Sequence, residues 1–269
     1  MIGTLPRPLH NSSPVWSRLS WLPALAVAGA LVGAWQAAAA AGLINFESIA
    51  APKDIVSAWW RLTIGGPLLE QTWHTISMFA VSWTIALALG TTIGTAVGLS
   101  NWAARLTLGT VTFFRFLPPP ALVPLVLLIF GLSSSGELTI ATYVAIWPVI
   151  LNTTIGVQQV DPRLIEVGRT LQLGKFVRLR KLIVPAALPM ILAGARLAST
   201  LALVVVVTAE MVGIPAGIGH EIVRSAEALR PDSAYAYVVW TGALGMAINL
   251  ALRRLERGAL AWQSSGSPP

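Results

Sequence analysis

Long apolar stretches dominate the chain, and six of them are long enough to cross a membrane. A helix needs about 20 consecutive apolar residues to span the hydrocarbon core of a bilayer. The stretches are Trp21–Ile44, Thr75–Leu99, Leu106–Phe130, Leu138–Val157, Pro189–Val212 and Tyr235–Leu252, the last being the shortest. No long polar linker separates them, which predicts one all-α transmembrane domain over residues 21–262. The third stretch is interrupted by Pro118, Pro119 and Pro120, which cannot continue a helical hydrogen-bond ladder.

Three polar segments lie outside these spans. Residues 1–20 form a polar N-terminal tail, and residues 263–269 (QSSGSPP) predict a disordered C-terminal tail. In the long segment after the first span, Ile55, Trp59 and Leu62 recur at helical spacing, which predicts a short helix on the outer membrane surface. The alternative for the first stretch is a cleaved signal peptide, but its apolar run exceeds the roughly 7–15 residues of a signal core.

Composition agrees with a lipid environment. Hydrophobic residues make up 55% of the chain and charged residues 11%, whereas soluble domains carry about 25% charged residues. The net charge of +7 does not indicate nucleic-acid binding, because no aromatic and basic module accompanies it. The absence of Cys excludes disulfides and thiolate chemistry.

The basic residues outside the spans fix a predicted orientation. With a cytoplasmic N-terminus, the inner segments hold Arg7, Arg18, Arg105, Arg163, Arg169, Lys175, Arg178, Arg180, Lys181, Arg253, Arg254 and Arg257. The opposite side holds only Lys53, Arg61, Arg224 and Arg230. Because Lys and Arg concentrate in cytoplasmic loops, this bias predicts that both termini are cytoplasmic.

The most informative loop is the basic segment 156–188. Asp161-Pro162 is typical of a helix start, with Asp as the N-cap and Pro in the first turn. Apolar Leu164, Val167 and Leu171 follow at helical spacing and predict an amphipathic helix over residues 162–171, which Gly174 is suited to end. A second helical stretch is predicted from Lys175 to Val184, before a break or kink at Pro185.

Two interpretations of this loop remain open on physical grounds. The first is a juxtamembrane helix that rests on anionic membrane lipid. The second is a docking helix for a cytoplasmic partner. The acid Glu166 within an otherwise basic loop, and a helix-turn-helix longer than the topology requires, favour docking.

The same loop resembles the signature segment of bacterial ATP-binding-cassette importer permeases, which opens on Glu-Ala-Ala and closes on Ile-x-Leu-Pro. Glu166 matches the opening Glu and Pro185 the closing Pro. The partial matches between them are Val167 and Gly168 for the two alanines, and Leu182 and Val184 for the Ile and Leu. Gln172 departs from the family pattern, which has Gly there, while Gly174 follows two residues later. This departure affects the expected geometry of the turn and leaves the expected docking role unchanged.

Further motifs resemble one subgroup of these permeases, that of the nitrate, sulfonate and taurine importers. They are RFLPPPALVPLVLLIFG (115–131), VDPRLIEVGRTL (160–171), VPAALP (184–189), ARLASTLALVVVVTAEMVG (195–213) and RRLERGALAW (253–262). The resemblance implies a homodimer around a central pathway, two copies of an ATPase subunit docked on the loops, and a soluble substrate-binding protein. It implies that ATP and Mg²⁺ bind to the ATPase subunit and that this chain needs no cofactor.

Enzyme chemistry is not indicated by the sequence. Gly174-Lys175 is the sole Gly-Lys pair, and it lacks the upstream Gly and following hydroxyl of a phosphate-binding loop. His10, His74 and His220 are scattered with no metal-ligand spacing, so no metal site is expected. An intramembrane enzyme would require a catalytic constellation, and a secondary transporter or channel would leave the docking-type loop unexplained.

Charges inside apolar spans are costly and mark candidate pathway residues. Arg115, directly before Pro118–Pro120, either faces a pathway for an anionic substrate or reaches toward the inner interface. Glu210 and Arg196 lie fourteen residues apart on one span, about 21 Å. They cannot pair with each other, so each needs another partner, and a second copy of the chain in a dimer could provide it. Gly90, Gly94 and Gly98 form a row suited to close helix packing within the subunit.

Overall fold

The computed structural model describes residues 21–43 and 49–260, and every regular element in those ranges is helical. The helices are α1 (Trp21–Ala40), α2 (Pro52–Ile64), α3 (Leu68–Gly98), α4 (Asn101–Arg115), α5 (Pro119–Phe130), α6 (Ser134–Gln158), α7 (Pro162–Thr170), α8 (Lys175–Arg178), α9 (Val184–Val212), α10 (Ile218–Glu227) and α11 (Pro231–Ala259). A π-helical turn, Leu179–Ile183, joins α8 to α9. The predicted tails lie outside the described residues.

The centre of the fold is formed by α3, α6 and α9, and a row of glycines sets how closely α3 and α6 approach. Gly90, Gly94 and Gly98 face Val149, Thr153 and Val157, and a Cβ on any of the three glycines would lie 2.7–2.8 Å from a side-chain carbon of its neighbour. In lipid, van der Waals contact of this kind is a main source of helix association. The predicted packing role of the glycine row within the subunit is confirmed.

The register of these contacts gives the topology. Residue numbers on α3 and α6 rise together, so the two helices are parallel. The chain must therefore return to the opposite end of the bundle between Gly98 and Ser134. Helices α4 and α5 make this return together and are bent by 85°, with Pro118 to Pro120 at the start of α5. The predicted interruption of the third span is confirmed.

The helices qualify as membrane spans to different degrees. Among the described residues, α3, α6, the continuous helix Lys175–Val212 and α11 are long and apolar enough, and the bent α4–α5 pair adds a fifth. A shorter apolar helix, Ala26–Ala40, lies in α1. The helices extend past the predicted stretches, since α3 begins at Leu68 and α11 has 29 residues. Hydropathy marks the part of a helix in lipid, whereas backbone hydrogen bonding continues beyond it, so the helix lengths do not test the predicted lengths of the apolar stretches.

The predicted helix after the first span is α2, but its apolar face has a different neighbour. Ile55 and Ala58 are buried and pack with Ala236 of α11, and Arg61 forms an ion pair with Asp232 at 2.6 Å. The face predicted to lie on the membrane surface thus packs against protein. The exposed apolar residues of α2 are Val56, Trp60 and Ile64.

Two ends of the bundle can now be distinguished. The α7 end carries the C-termini of α3 and α6 and the start of α9. The α10 end carries the N-termini of α3 and α6, the C-terminus of α9, and the short helix α10, which the sequence analysis did not predict.

We expect Gly94→Ala to destabilise the protein by about 1–3 kcal/mol, the usual range for overpacking a core. The added Cβ would lie 2.7 Å from Thr153 Cβ and 2.8 Å from the Ile150 carbonyl oxygen, and backbone cannot rotate away. Thermal unfolding of the purified protein in detergent measures this loss. The matched control is Gly33→Ala on α1, where a Cβ meets nothing within 4 Å. Equal midpoints for the two variants would contradict the packing role.

Candidate functional site

Helix α7 is held on the bundle by one side of its surface. Asp161 Oδ1 accepts a hydrogen bond from the Arg163 backbone N–H at 2.8 Å, which confirms the predicted N-cap. Ile165 packs on a buried cluster that includes Val160 and Ile183. Gly168 is buried, and a Cβ there would lie 2.8 Å from Leu182 Cδ1. These contacts fix the position and rotation of α7.

The side of α7 next to these contacts exposes apolar surface. Leu164, Val167 and Leu171 are 41%, 52% and 64% exposed, and Glu166, directly before Val167 in the chain, is also exposed. The three apolar residues share one face because they are spaced by three and four residues. A helix fixed on its inner side therefore presents a firm apolar patch with one carboxylate. We call Leu164, Glu166, Val167 and Leu171 the docking face.

The turn that follows α7 lies at Gln172 rather than at Gly174. Gln172 has φ 54°, in the left-handed region. Its N–H donates to the Arg169 carbonyl at 2.9 Å, and the Leu173 N–H donates to the Gly168 carbonyl at 3.0 Å, which is the Schellman pattern of helix ends. Gly174 has an extended conformation and precedes α8. The prediction that Gly174 ends the helix was wrong, because the backbone hydrogen bonds fix the turn at the position where the family has Gly.

We expect Gln172→Gly to stabilise the protein by about 1 kcal/mol, because a left-handed L-residue costs about 1–2 kcal/mol and glycine avoids this strain. Gln172→Val should destabilise it, since a β-branched residue fits this region worst. The two midpoints of thermal unfolding, measured against wild type, give the comparison. A more stable Val variant would show that the turn differs from the one described.

The connection to α9 is continuous. Of the predicted break or kink at Pro185, the break is absent, because α9 begins at Val184 and runs through Pro185 in its first turn. The preceding turn, Leu179–Ile183, is π-helical. This wider turn accommodates Pro185, which has no backbone N–H to donate and whose ring crowds the carbonyl of the preceding turn. One uninterrupted helical path thus runs from Lys175, directly after the turn that follows the docking face, to the end of α9.

The predicted pathway residues occupy two separate places. Arg115 ends α4, and its side chain lies outside the described part of the structure. Pro118 is the N-cap of α5, and Pro119 and Pro120 form its first turn. Glu210 lies in the last turn of α9 at the α10 end. Its side chain is fully buried inside the subunit.

The partners of Glu210 belong to the same subunit. Its Oε1 accepts a hydrogen bond from Thr75 Oγ1 at 2.7 Å, and its Oε2 accepts one from the Gly219 N–H at 2.8 Å. The other donors at the start of α10 are also bound, since Gly217 N–H donates to Gln71 Oε1 and Ile218 N–H to Thr75 Oγ1. A carboxylate at a helix N-terminus is stabilised by the helix dipole. Glu210 thereby ties α9, α3 and α10 together.

Two further residues, His74 and Glu137, lie beside Glu210. His74 Nε2 is 3.2 Å from Glu137 Oε2, and Glu137 is fully buried. One possible ligand atom from each of His74, Glu137 and Glu210 lies within 4.8 Å of the others. Sequence reasoning missed this cluster, because the three residues come from three helices far apart in the chain. One feature of the sequence could have indicated it, because His74 and Glu137 each lie directly before the start of a predicted span.

The other charge in the fifth span, Arg196, also has a partner within the subunit. It forms an ion pair with Glu256 of α11. The pair lies at the α7 end, away from Glu210. The expectation that Arg196 and Glu210 need separate partners is confirmed, and neither partner comes from a second copy.

The structure also has a groove of about 550 Å³ between α9 and α11, which the sequence did not predict. Its polar lining residues are Ser199, Thr200, Thr208, Thr241 and Asn249. The hydroxyls of Thr208 and Thr241 donate to carbonyls of their own helices. The groove therefore offers mainly apolar surface between two spans.

These features define the class of the protein. The chain is a multi-pass helical membrane protein with a broken third span and an anchored amphipathic helix between two central spans. The architecture is that of a membrane permease.

Residues 86–259 match the family described as the binding-protein-dependent transport system inner membrane component. The match covers more than half of the chain, so the chain belongs to this family of ATP-binding-cassette importer permeases. It is accordingly a multi-pass protein of the inner membrane.

Relatives and solved structures agree with this assignment. The chain is 28% identical to SsuC of Bacillus subtilis, which carries the name of an aliphatic sulfonates transport permease, over 98% of this chain and 96% of that protein. It is 30% identical to the bicarbonate transport system permease CmpB of Synechococcus elongatus over 72% and 70% of the two chains. An inward-facing structure of the MetNI methionine ABC transporter has a TM-score of 0.62 at 19% identity, covering 71% of this chain and 95% of that one, and shares the fold.

Proposed function

We propose that this chain is the permease subunit of an importer for a small oxyanion of the sulfonate, taurine or nitrate type, driven by a separate ATPase that docks on the loop 156–188. The docking residues are Leu164, Glu166, Val167, Gly168, Leu171, Gln172, Gly174 and Pro185. The observation that carries the proposal is the docking face, an exposed apolar patch on a helix whose neighbouring side is fixed to the bundle.

The roles within the docking loop follow from its contacts. Leu164, Val167 and Leu171 bury apolar surface against the ATPase, and Glu166 offers a carboxylate to a basic group on it. Gly168 lets α7 lie close to Leu182, and Gln172 and Gly174 form the turn into α8. Pro185 lies in the continuous helix that joins the loop to α9. Movement of the docked ATPase is thereby transmitted to a central span.

The assembly we propose has two copies of this chain, two ATPase subunits and one soluble binding protein that delivers the solute. ATP and Mg²⁺ bind to the ATPase, since the sequence has no phosphate-binding loop. The excess of Lys and Arg at the α7 end supports an orientation in which that end and both termini are cytoplasmic. The α10 end then receives the binding protein.

The pathway is proposed to pass the break between α4 and α5. A broken helix leaves backbone groups that need partners or water, which is tolerated where the backbone lines a cavity. Pro118, Pro119 and Pro120 hold that break, and Arg115 directly before it supplies a positive charge that suits an anion. Glu210 contributes by shaping the α10 end of the pathway, because its carboxylate is already bound by Thr75 and Gly219.

The substrate class is supported by what the relatives have in common. The names of three relatives, SsuC, the nitrate import permease NrtB of Synechococcus elongatus and CmpB, refer to aliphatic sulfonates, nitrate and bicarbonate. All three solutes are small oxyanions with one negative charge. A secondary transporter or channel is not favoured, because the docking loop would then have no role.

The test is uptake by proteoliposomes that contain this chain, the ATPase encoded beside it and the cognate binding protein. We expect ATP-dependent uptake of taurine, an alkanesulfonate or nitrate, and no uptake when the binding protein is omitted. Methionine serves as the control solute of different chemistry. Uptake driven by an ion gradient without ATP would contradict the proposal and support a secondary transporter.

A further inference from the structure

The cluster His74, Glu137 and Glu210 brings together three metal-ligating side chains from three helices at the α10 end. One nitrogen or oxygen atom from each lies within 4.8 Å of the other two. Glu137 and Glu210 are fully buried, and the His74 side chain is 22% exposed. The cluster is thus closed except on the side of His74.

The charges of this cluster do not balance. Two buried carboxylates face one histidine, which carries a single positive charge at most. The ion pairs of the described residues place no Lys or Arg beside either carboxylate. Burial of an unpaired charge is strongly unfavourable, so such groups are paired, neutralised or bound to a metal.

One oxygen of the cluster also lacks a partner. Glu137 Oε1 is buried and forms no hydrogen bond, although the other oxygen of the same carboxylate contacts His74. An ionised carboxylate only accepts hydrogen bonds, and no donor among the described residues reaches this atom. A cation would satisfy both the free oxygen and the excess negative charge.

We propose that His74, Glu137 and Glu210 bind one divalent transition-metal ion of the zinc type. Imidazole nitrogen with carboxylate oxygen suits Zn²⁺, whereas Mg²⁺ and Ca²⁺ prefer oxygen ligands throughout. Three protein ligands leave one coordination position open toward His74. Glu210 keeps its hydrogen bonds from Thr75 and Gly219, because a carboxylate has enough lone pairs to accept them and to ligate.

The ion would link the second turn of α3 and the first turn of α6 to the last turn of α9, directly under the start of α10. It would hold these helix ends together and add to the tie that Glu210 makes. The inference does not depend on the docking loop or on the identity of the transported solute.

The experiment uses the full-length chain without a histidine tag in lipid nanodiscs. After removal of metals with a chelator, the protein is titrated with Zn²⁺, and bound zinc is counted by elemental analysis after desalting. We expect one Zn²⁺ per chain and a rise of the unfolding midpoint with Zn²⁺ concentration, because a ligand that binds the folded state stabilises it. Glu137→Gln and His74→Gln should each weaken binding at least about tenfold, because each removes a direct ligand and loss of an outer-shell partner alone costs about 10–100-fold.

Matched controls are Glu221→Gln, a buried glutamate that is paired with Arg224, and His220→Gln on the same helix α10. Both should bind zinc like wild type. Should the cluster variants fail to fold, Co²⁺ added to wild type gives the visible absorption of a ligated ion without any substitution. The proposal is overturned if wild type binds no Zn²⁺ and shows no Co²⁺ absorption. It is also overturned if the cluster variants bind as much zinc as the controls. A Glu137→Gln variant that is more stable than wild type both in chelator and in zinc would overturn it as well, because that result indicates that the carboxylates share a proton.

Discussion

Replacement of both Leu164 and Val167 by Asp is expected to abolish stable binding of the ATPase. The two side chains are 41% and 52% exposed in the free chain, so each has surface left to bury in a complex. Full burial of such a side chain is worth about 1.5–3 kcal/mol. Loss of about 3 kcal/mol in total weakens binding by about 100-fold or more, and the added carboxylates increase the loss.

Pull-down of the ATPase by the detergent-solubilised permease measures this effect. The control is Leu229→Asn at the α10 end, where an 86% exposed leucine is replaced at a position with φ 52° that Asn tolerates. The control should retain a stoichiometric ATPase. If the double variant also retains it while remaining folded, α7 is not the docking element.

Gly217→Ala is expected to be strongly destabilising at the α10 end. Gly217 has φ 95° and ψ 170°, a region that is essentially restricted to glycine. An added Cβ would lie 2.0 Å from the Glu210 carboxyl carbon. The backbone strain costs about 1–3 kcal/mol, and the clash with a carboxylate that is already bound adds to it. We expect a loss above about 3 kcal/mol in total.

Gly131→Ala separates the two causes of this loss. Gly131 has φ 76° and ψ 172°, close to the conformation of Gly217, yet a Cβ there meets nothing within 4 Å. It should therefore show the backbone strain alone. Thermal unfolding of both variants gives the difference, and equal midpoints would show that Glu210 does not lie against Gly217.

The sequence was sufficient to predict the elements that follow from local pattern. Long apolar runs predicted the long helices α3, α6, α9 and α11, the proline triplet located the break near Pro118, and Asp161-Pro162 located the start of α7. The glycine row predicted close packing of two helices, because small residues at a spacing of four let helix backbones approach each other in lipid. Each of these predictions depends on residues near one another in the chain.

The remaining features depend on tertiary contacts that a single sequence does not display. Gly174 was the obvious candidate for the turn, but the hydrogen bonds to Arg169 and Gly168 place Gln172 in the left-handed conformation. Glu210 was identified as needing a partner, yet nothing in the pattern indicated Thr75 or the start of α10. His74 and Glu137 became visible as neighbours of Glu210 only when the parallel arrangement of α3 and α6 was known.

The central claim is that an ATPase binds the docking face and moves α9 through it. Because the chain contains no Cys, a single Val167→Cys variant can carry a photoactivatable cross-linker at one known position. In membranes that contain the ATPase and the binding protein, we expect illumination to give a covalent adduct of this variant with the ATPase. The same label on Leu229→Cys should give no such adduct. Absence of an ATPase adduct at residue 167, or equal adducts at both positions, would contradict the account.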